Sequence, residues 1–140
     1  PLGDLPYRSY PTLVELAEVS DILLVTCEGG EANRGVVNAE VLDALGPNGY
    51  LINTARGPII DQPAMVKALQ EGRIAGAGLD VFDDEPEVPQ ALMEMENVVL
   101  TPHIASSTHE TRRAMGDLVY DNLKAHFSGK PVLTPVPKQV

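Results

Sequence analysis

The chain has 140 residues, enough for one domain with a buried core, and its 44% hydrophobic and 21% charged residues are the balance of an ordinary globular protein. A formal net charge of -10 argues against nucleic acid and anionic membrane surfaces as partners, though not against a phosphate-bearing cofactor held by a few local donors. The lone Cys27 excludes an intramolecular disulfide and points to a reducing, cytoplasmic setting, and no apolar run is long enough to cross a bilayer.

Neither an initiator Met nor a signal peptide opens the sequence, so Pro1 is expected to be a cut point. Thr12 and Glu15 have the spacing of a capping box and predict a short helix to Val19. The run from Asp21 to Thr26 is continuously apolar, the pattern of a parallel strand buried on both faces. Asn38 can cap a helix through Val41, Leu42 and Leu45 that Gly46 ends. Tyr50 to Asn53 reads as a second strand, and Asp61 as the cap of a helix through Met65, Val66 and Leu69 with Gly72 as its stop. Ile74 to Val81 is a third strand, whose glycines imply close packing against backbone or ligand, and Asn97 to Thr101 is a fourth. Ser107 and Glu110 form another capping box, opening a long helix through Met115, Leu118, Val119, Leu123 and Phe127 that Gly129 and Pro131 close. The Pro-rich tail to Val140 is expected to run over a surface. Strands alternating with helices predict an α/β fold, a parallel sheet wrapped by helices.

In open parallel sheets ligands bind beyond the carboxyl ends of the strands. The first strand here ends at Thr26-Cys27-Glu28-Gly29-Gly30, and the second runs into Thr54-Ala55-Arg56-Gly57-Pro58. The third ends at Asp80 and leads to Glu85-Pro86, and the fourth ends at Pro102-His103. An arginine, a carboxylate and a histidine thus converge on one rim from different strands, the makings of a composite active site. Plainer readings stand beside this one. Arg56 could be a surface arginine, although Gly57-Pro58 marks an unusual loop. Glu85 lies in the acidic run Asp83-Asp84-Glu85-Pro86-Glu87, and such runs are usually solvated faces. Asp80 could be a strand-end cap and His103 a space-filling residue. Cys27 reads as a packing residue more than a nucleophile, with no base near it in sequence. His109 and His126 on the last helix read as structural, and no metal site is expected.

The stretch INTARGPIIDQPAMVKALQEGRIAGAGLDVFDDEP, followed by NVVLTPHIASSTHETR, resembles the signature of the D-2-hydroxyacid dehydrogenases. The resemblance runs from Tyr7 to Pro137, and NLKAHFSGKPVLTPV is most similar to the glyoxylate and hydroxypyruvate reductase branch. It implies that Arg56 binds the substrate carboxylate, which suits a guanidinium fork. It implies that His103 is the acid that protonates the carbonyl oxygen while hydride arrives from a nicotinamide, and that Glu85 is its carboxylate partner, an anion that favours the imidazolium. Asp80 matches the residue facing the nicotinamide, and Cys27, Thr54, Ala55 and Ser106 match positions lining the cofactor, alongside Arg56 and His103. Family members commonly carry Pro after the position of Cys27; Glu28-Gly29-Gly30 stands here, and a more flexible, more acidic loop is expected.

No G-x-G-x-x-G motif occurs in the chain, and the residue that would select NAD or NADP would precede Pro1. The resemblance therefore implies the second half of a Rossmann-type parallel sheet with flanking helices: residues 1–106 as a partial dinucleotide-binding domain, and 107–140 as a C-terminal helix and tail returning to a substrate-binding lobe. The expected parent is a cytoplasmic homodimer reducing small 2-oxoacids with NAD or NADP, NADP being favoured. Alternatives are a phosphoglycerate-type or D-lactate-type dehydrogenase, or a dinucleotide-sensing corepressor on the same scaffold. With strands in the order 3-2-1-4-5-6 and the run Asp21–Thr26 taken as strand 3, that strand would have no neighbour in this chain, and the chain alone could not hold its sheet.

Overall fold

A computed structural model describes residues 6–137; Pro1 and the last three residues of the expected tail lie outside them. The described residues form two compact units, one ending at His103 and the other beginning at Ile104.

The first unit carries a four-stranded, all-parallel sheet: β1 (Ile22–Val25), β2 (Tyr50–Asn53), β3 (Gly76–Leu79) and β4 (Val98–Leu100), adjacent in that order. This overturns the expected strand order. β1 pairs in parallel with β2 along its whole length, Ile22 opposite Tyr50 and Val25 opposite Asn53, so no gap interrupts the sheet. The physical reason lies in the topology: the second half of a doubly wound sheet runs outward in sequence order, and β1 is the first strand of that half. The claim that the chain cannot hold its sheet falls with the ordering.

The helices α1 (Leu13–Glu18), α2 (Ala39–Leu45) and α3 (Gln62–Gln70) are capped where the sequence places their caps. Thr12 Oγ1 accepts from Glu15 N at 3.2 Å, Asn38 Oδ1 from Val41 N at 3.1 Å and Asp61 Oδ1 from Ala64 N at 3.0 Å. A one-turn helix, α4 (Gln90–Met93), precedes β4; it was not legible, lacking a side-chain cap. α1 packs on α2 and α2 on α3. Val41, Leu42, Leu45, Met65 and Leu69 from these helices meet Leu23, Val25, Leu51, Ala77 and Leu79 from the sheet in one buried cluster. Each fully buried leucine, valine or methionine of this cluster contributes about 1.5–3 kcal/mol.

β1 is buried on one face only: Leu23 and Val25 are covered, whereas Ile22 and Leu24 are 60% and 56% exposed. Tyr50 and Val99 continue the same uncovered face. The sequence reads β1 as buried on both faces because its apolar run is unbroken; among the described residues only one face has a cover. The β3 glycines lie under β2 side chains as expected of close packing: a Cβ on Gly78 would meet Ile52 Cδ1 at 3.0 Å.

The second unit is α5 (His109–Phe127) with its tail. Its cap is Thr108, whose Oγ1 accepts from Thr111 N at 3.2 Å, and not Ser107, whose hydroxyl accepts from Arg112 Nε at 3.0 Å. The tail turns back after Gly129, and Thr134 N donates to Asn122 Oδ1 at 3.1 Å. Among the described residues, no helix is long and apolar enough to cross a membrane.

Candidate functional site

Because all four strands are parallel, the segments that follow β2, β3 and β4 leave from the same edge of the sheet. Arg56 follows β2, Asp80 and Glu85 follow β3, and His103 follows β4. The nearest approach among them is between Glu85 and His103: Oε2 lies 2.8 Å from Nδ1. The other carboxylate oxygen, Oε1, accepts from the backbone N–H of Phe82 at 3.1 Å. Glu85 is thus held at both oxygens, and its Nδ1 contact leaves Nε2 as the outward nitrogen of the His103 ring. The hydrogen bond with His103, helped by the Phe82 N–H and by the charge of Arg56, holds the Glu85 carboxyl below its ordinary range against the opposing effect of burial. His103 itself sits at φ 54°, a left-handed backbone that a non-glycine residue seldom adopts.

Arg56 is fixed from several sides. Asn53, 1% exposed at the end of β2, accepts from Ala55 N through Oδ1 and donates Nδ2 to the Arg56 carbonyl, both at 3.0 Å. Its neighbour Gly57 opens a short 3-10 turn, Gly57–Ile59, and lies against the chain after β3: a Cβ there would stand 1.9 Å from the Phe82 carbonyl oxygen. The unusual loop read from Gly57-Pro58 is therefore a backbone crossing that locks the arginine segment to the Glu85 segment. The turn is also stitched to the stretch after β1, through Gly35 N to Pro58 O at 2.8 Å and Val37 N to Ile59 O at 3.1 Å. The Arg56 side chain gives Nη1 to its own neighbour's carbonyl, Ala55 O, at 2.6 Å. Among the described residues no carboxylate lies within ion-pair distance of it.

The three residues do not share one cavity. Arg56 lines a cleft of about 550 Å³ with Glu28, Gly29, Gly30, Arg34 and Pro58. Glu85 and His103 line a separate recess of about 170 Å³ with Phe82, Pro86, Val88 and Pro102. Arg34 in the cleft stands near Glu31 at 3.5 Å and Asp83 at 3.6 Å, both exposed pairs of little energetic weight.

The remaining expected residues are placed as follows. Asp80 is 4% exposed, and its Oδ1 accepts from Thr101 Oγ1 at 2.5 Å. Ala55 is buried, while Thr54 and Cys27 are exposed at the ends of β2 and β1. Ser106 is exposed and belongs to the second unit. Among the described residues no cluster of His, Cys, Asp and Glu is arranged to hold a metal. Asn53 and Thr101 escaped the sequence reading. The signal for Asn53 was a lone amide closing an apolar strand; for Thr101 nothing local foretold a bond to Asp80, 21 positions away.

A family model for the D-isomer specific 2-hydroxyacid dehydrogenase, NAD-binding domain, matches residues 4–105. The chain is 59% identical over 130 residues to hydroxyphenylpyruvate reductase of Plectranthus scutellarioides, covering 93% of this chain and 42% of that protein. It is 57% identical over 133 residues to glyoxylate/hydroxypyruvate reductase A of Arabidopsis thaliana, covering 95% of this chain and 42% of the relative. The structure superposes with a TM-score of 0.92, at 54% identity, on the NADPH-dependent glyoxylate/hydroxypyruvate reductase of Sinorhizobium meliloti in complex with NADP and malonate, over 97% of this chain and 43% of that one. The chain thus spans less than half the length of the proteins it matches. From the family match across most of its length, and from relatives more than half identical to it, the chain belongs to the D-isomer specific 2-hydroxyacid dehydrogenases.

Proposed function

We propose that this chain is the C-terminal part of an NAD(P)-dependent D-2-hydroxyacid dehydrogenase that reduces small 2-oxoacids of the glyoxylate and hydroxypyruvate kind. The observation that carries the reading is the Glu85–His103 pair at 2.8 Å, in a chain 57% and 54% identical to two glyoxylate/hydroxypyruvate reductases. The nicotinamide, when bound, supplies hydride to the carbonyl carbon of the oxoacid. Around it, buried Asp80, fixed by Thr101, with Thr54, Ala55 and Cys27, would line the reacting end. A glycine-rich phosphate loop does not occur in the chain, so the pyrophosphate would be held elsewhere in the polypeptide. NADP is the favoured cofactor, on the strength of the S. meliloti complex.

The residues of this chain do the rest. Arg56, which has no carboxylate partner among the described residues, offers its guanidinium to the substrate carboxylate, a bidentate grip that orients the adjacent carbonyl. Glu85 engages Nδ1 of His103 and steadies the imidazolium, so that Nε2 carries the proton delivered to the carbonyl oxygen as hydride reaches carbon. The oxoacid gains one hydride and one proton and leaves as the 2-hydroxyacid. We further propose that residues 107–140 connect to a substrate-binding lobe and that the whole enzyme works in the cytoplasm as a homodimer; the net charge of -10 disfavours nucleic-acid and anionic membrane partners.

The test is oxidation of NADPH and NADH against a panel of 2-oxoacids, using a polypeptide that joins this chain to the further length its relatives have. Turnover of glyoxylate or hydroxypyruvate is expected. In that enzyme His103→Ala lowers kcat by about two to four orders of magnitude and leaves cofactor affinity nearly intact. Arg56→Ala raises KM for the oxoacid, and Arg56→Lys restores it only in part, since a point charge cannot reproduce the fork. Unaltered kinetics in either alanine variant would remove that residue from its role.

A further inference from the structure

We propose that Gly29 is a positioning residue for Arg56: its missing side chain is the space in which the stem of that arginine lies. The inference rests on the reading of Arg56 as the group that grips the oxoacid carboxylate. Gly29 does not sit in the left-handed region, so backbone freedom does not require glycine there. Space does. A Cβ on Gly29 would stand 2.7 Å from Arg56 Cγ, 3.3 Å from its Cβ and 3.8 Å from its Cδ. The adjacent Gly30 is the opposite case, with φ 129° and open space around a notional Cβ. Of the two glycines in this loop, one serves the backbone and the other serves the arginine.

Neither partner in the contact can retreat freely. The backbone of Arg56 is bracketed by the Asn53 amide and followed by the Gly57 crossing under the Phe82 carbonyl. The atoms crowded by a Cβ are the root of the side chain, not its mobile tip. On the facing side, the loop carrying Gly29 is tied down by Asn33, whose Nδ2 donates to the Glu28 carbonyl at 2.8 Å and whose N–H donates to the Gly30 carbonyl at 3.0 Å. A methyl at position 29 must therefore turn the arginine stem or lift the loop, and either change redirects the guanidinium that borders the cleft. The loop after β1 thereby sets the aim of a residue presented by β2. This accounts for glycine at the second position of the Glu28-Gly29-Gly30 segment.

The experiment is a double-mutant cycle in the complete dehydrogenase with Gly29→Ala, Arg56→Ala and the pair together. Two readouts are followed: KM for glyoxylate, and calorimetric affinity for oxamate, an unreactive 2-oxoacid analogue, in the presence of cofactor. Gly29→Ala is expected to weaken both by roughly ten- to a hundred-fold, the cost of misplacing a binding group by about an ångström, with KM for the cofactor and the unfolding midpoint unchanged. In the Arg56→Ala background, which lacks the Cγ that the new methyl would strike, the same substitution is expected to have no further effect. An active wild-type enzyme whose Gly29→Ala variant keeps its KM and oxamate affinity overturns the inference alone. So does an equal loss in both backgrounds, which would mark a loop defect independent of the arginine. A wild-type enzyme that neither reduces any 2-oxoacid nor binds oxamate ends the functional reading, and the inference with it.

Discussion

His103 is the sole non-glycine among the described residues with a left-handed backbone, and it is also the residue whose ring meets Glu85. A conformation of that kind costs on the order of 1–3 kcal/mol and survives where its surroundings dictate it. Here the backbone N–H is bonded to Thr101 O at 3.1 Å and the ring is held at Nδ1 by Glu85, so the conformation is fixed at both the main chain and the side chain. The sequence showed His103, Glu85 and Arg56 as candidates because each is a polar residue just past a strand end, in a motif that resembles a known family. It could not show Asn53, Thr101 or Gly29 as their supports, since those roles exist only through contacts made across the fold. The electrostatics carry their own test. The Glu85 carboxyl is held below its ordinary range chiefly by the hydrogen bond with His103. A group with a lowered folded pKa contributes stability that is fully present above its unfolded value and lost as pH falls through the folded one. The pair should therefore persist at a pH where a free glutamate is half protonated and break only below it. Carbon-detected NMR titration of the Glu85 carboxyl should give a midpoint lower than that of free glutamate, rising toward it in His103→Ala; a midpoint at or above the free value would contradict the pairing.

Among the elements, those with local grammar were legible and those fixed by distant contacts were not. Thr12, Asn38 and Asp61 were read as caps because each lies directly before a helical apolar pattern, and each caps its helix. At α5 the rule slipped by one residue, because Ser107 and Thr108 are both capping residues and only geometry separates them. The strand order failed for a different reason: an apolar run reports that a strand is buried, but not which strand lies beside it. The segment from Asn53 to Ile59 shows how elements are joined at the site. It is bonded to β2 through Asn53, to the stretch after β1 through Gly35 and Val37, and it crosses the chain after β3 at Gly57. A methyl at Gly57 has only backbone to displace, with the Phe82 carbonyl carbon at 2.0 Å and Asp83 N at 2.5 Å from its position. Gly57→Ala should therefore cost about 1–3 kcal/mol in urea unfolding, the usual penalty of overpacking, and should separate the Arg56 and Glu85 segments. A variant as stable as the parent would mean that the crossing is looser than its geometry.

At the scale of the whole molecule, the sheet presents two unlike faces. On one, Leu23, Val25, Leu51, Ala77 and Leu79 pack against helices. On the other, Ile22, Leu24, Tyr50 and Val99 lie open. All-parallel sheets are normally covered on both faces, and the relatives are more than twice as long as the segment they share with this chain. The contrast makes neighbouring positions in β1 diagnostic, since Leu23 and Leu24 are the same residue type one step apart, 4% and 56% exposed. In the 140-residue chain, Leu23→Ala removes packed atoms and leaves a cavity, at a cost of about 2–5 kcal/mol. Leu24→Ala removes a side chain more than half exposed to water and should cost far less, on the order of 0.5–1 kcal/mol. If a longer polypeptide, of the length of the relatives, covers the second face, the cost of Leu24→Ala should rise toward that of Leu23→Ala. Urea unfolding of both variants in both lengths reads this directly. Equal costs in the short chain would mean that the open face is already covered, by self-association or by a different packing. A Leu24→Ala cost that stays small in the long polypeptide would mean that the further length covers some other surface.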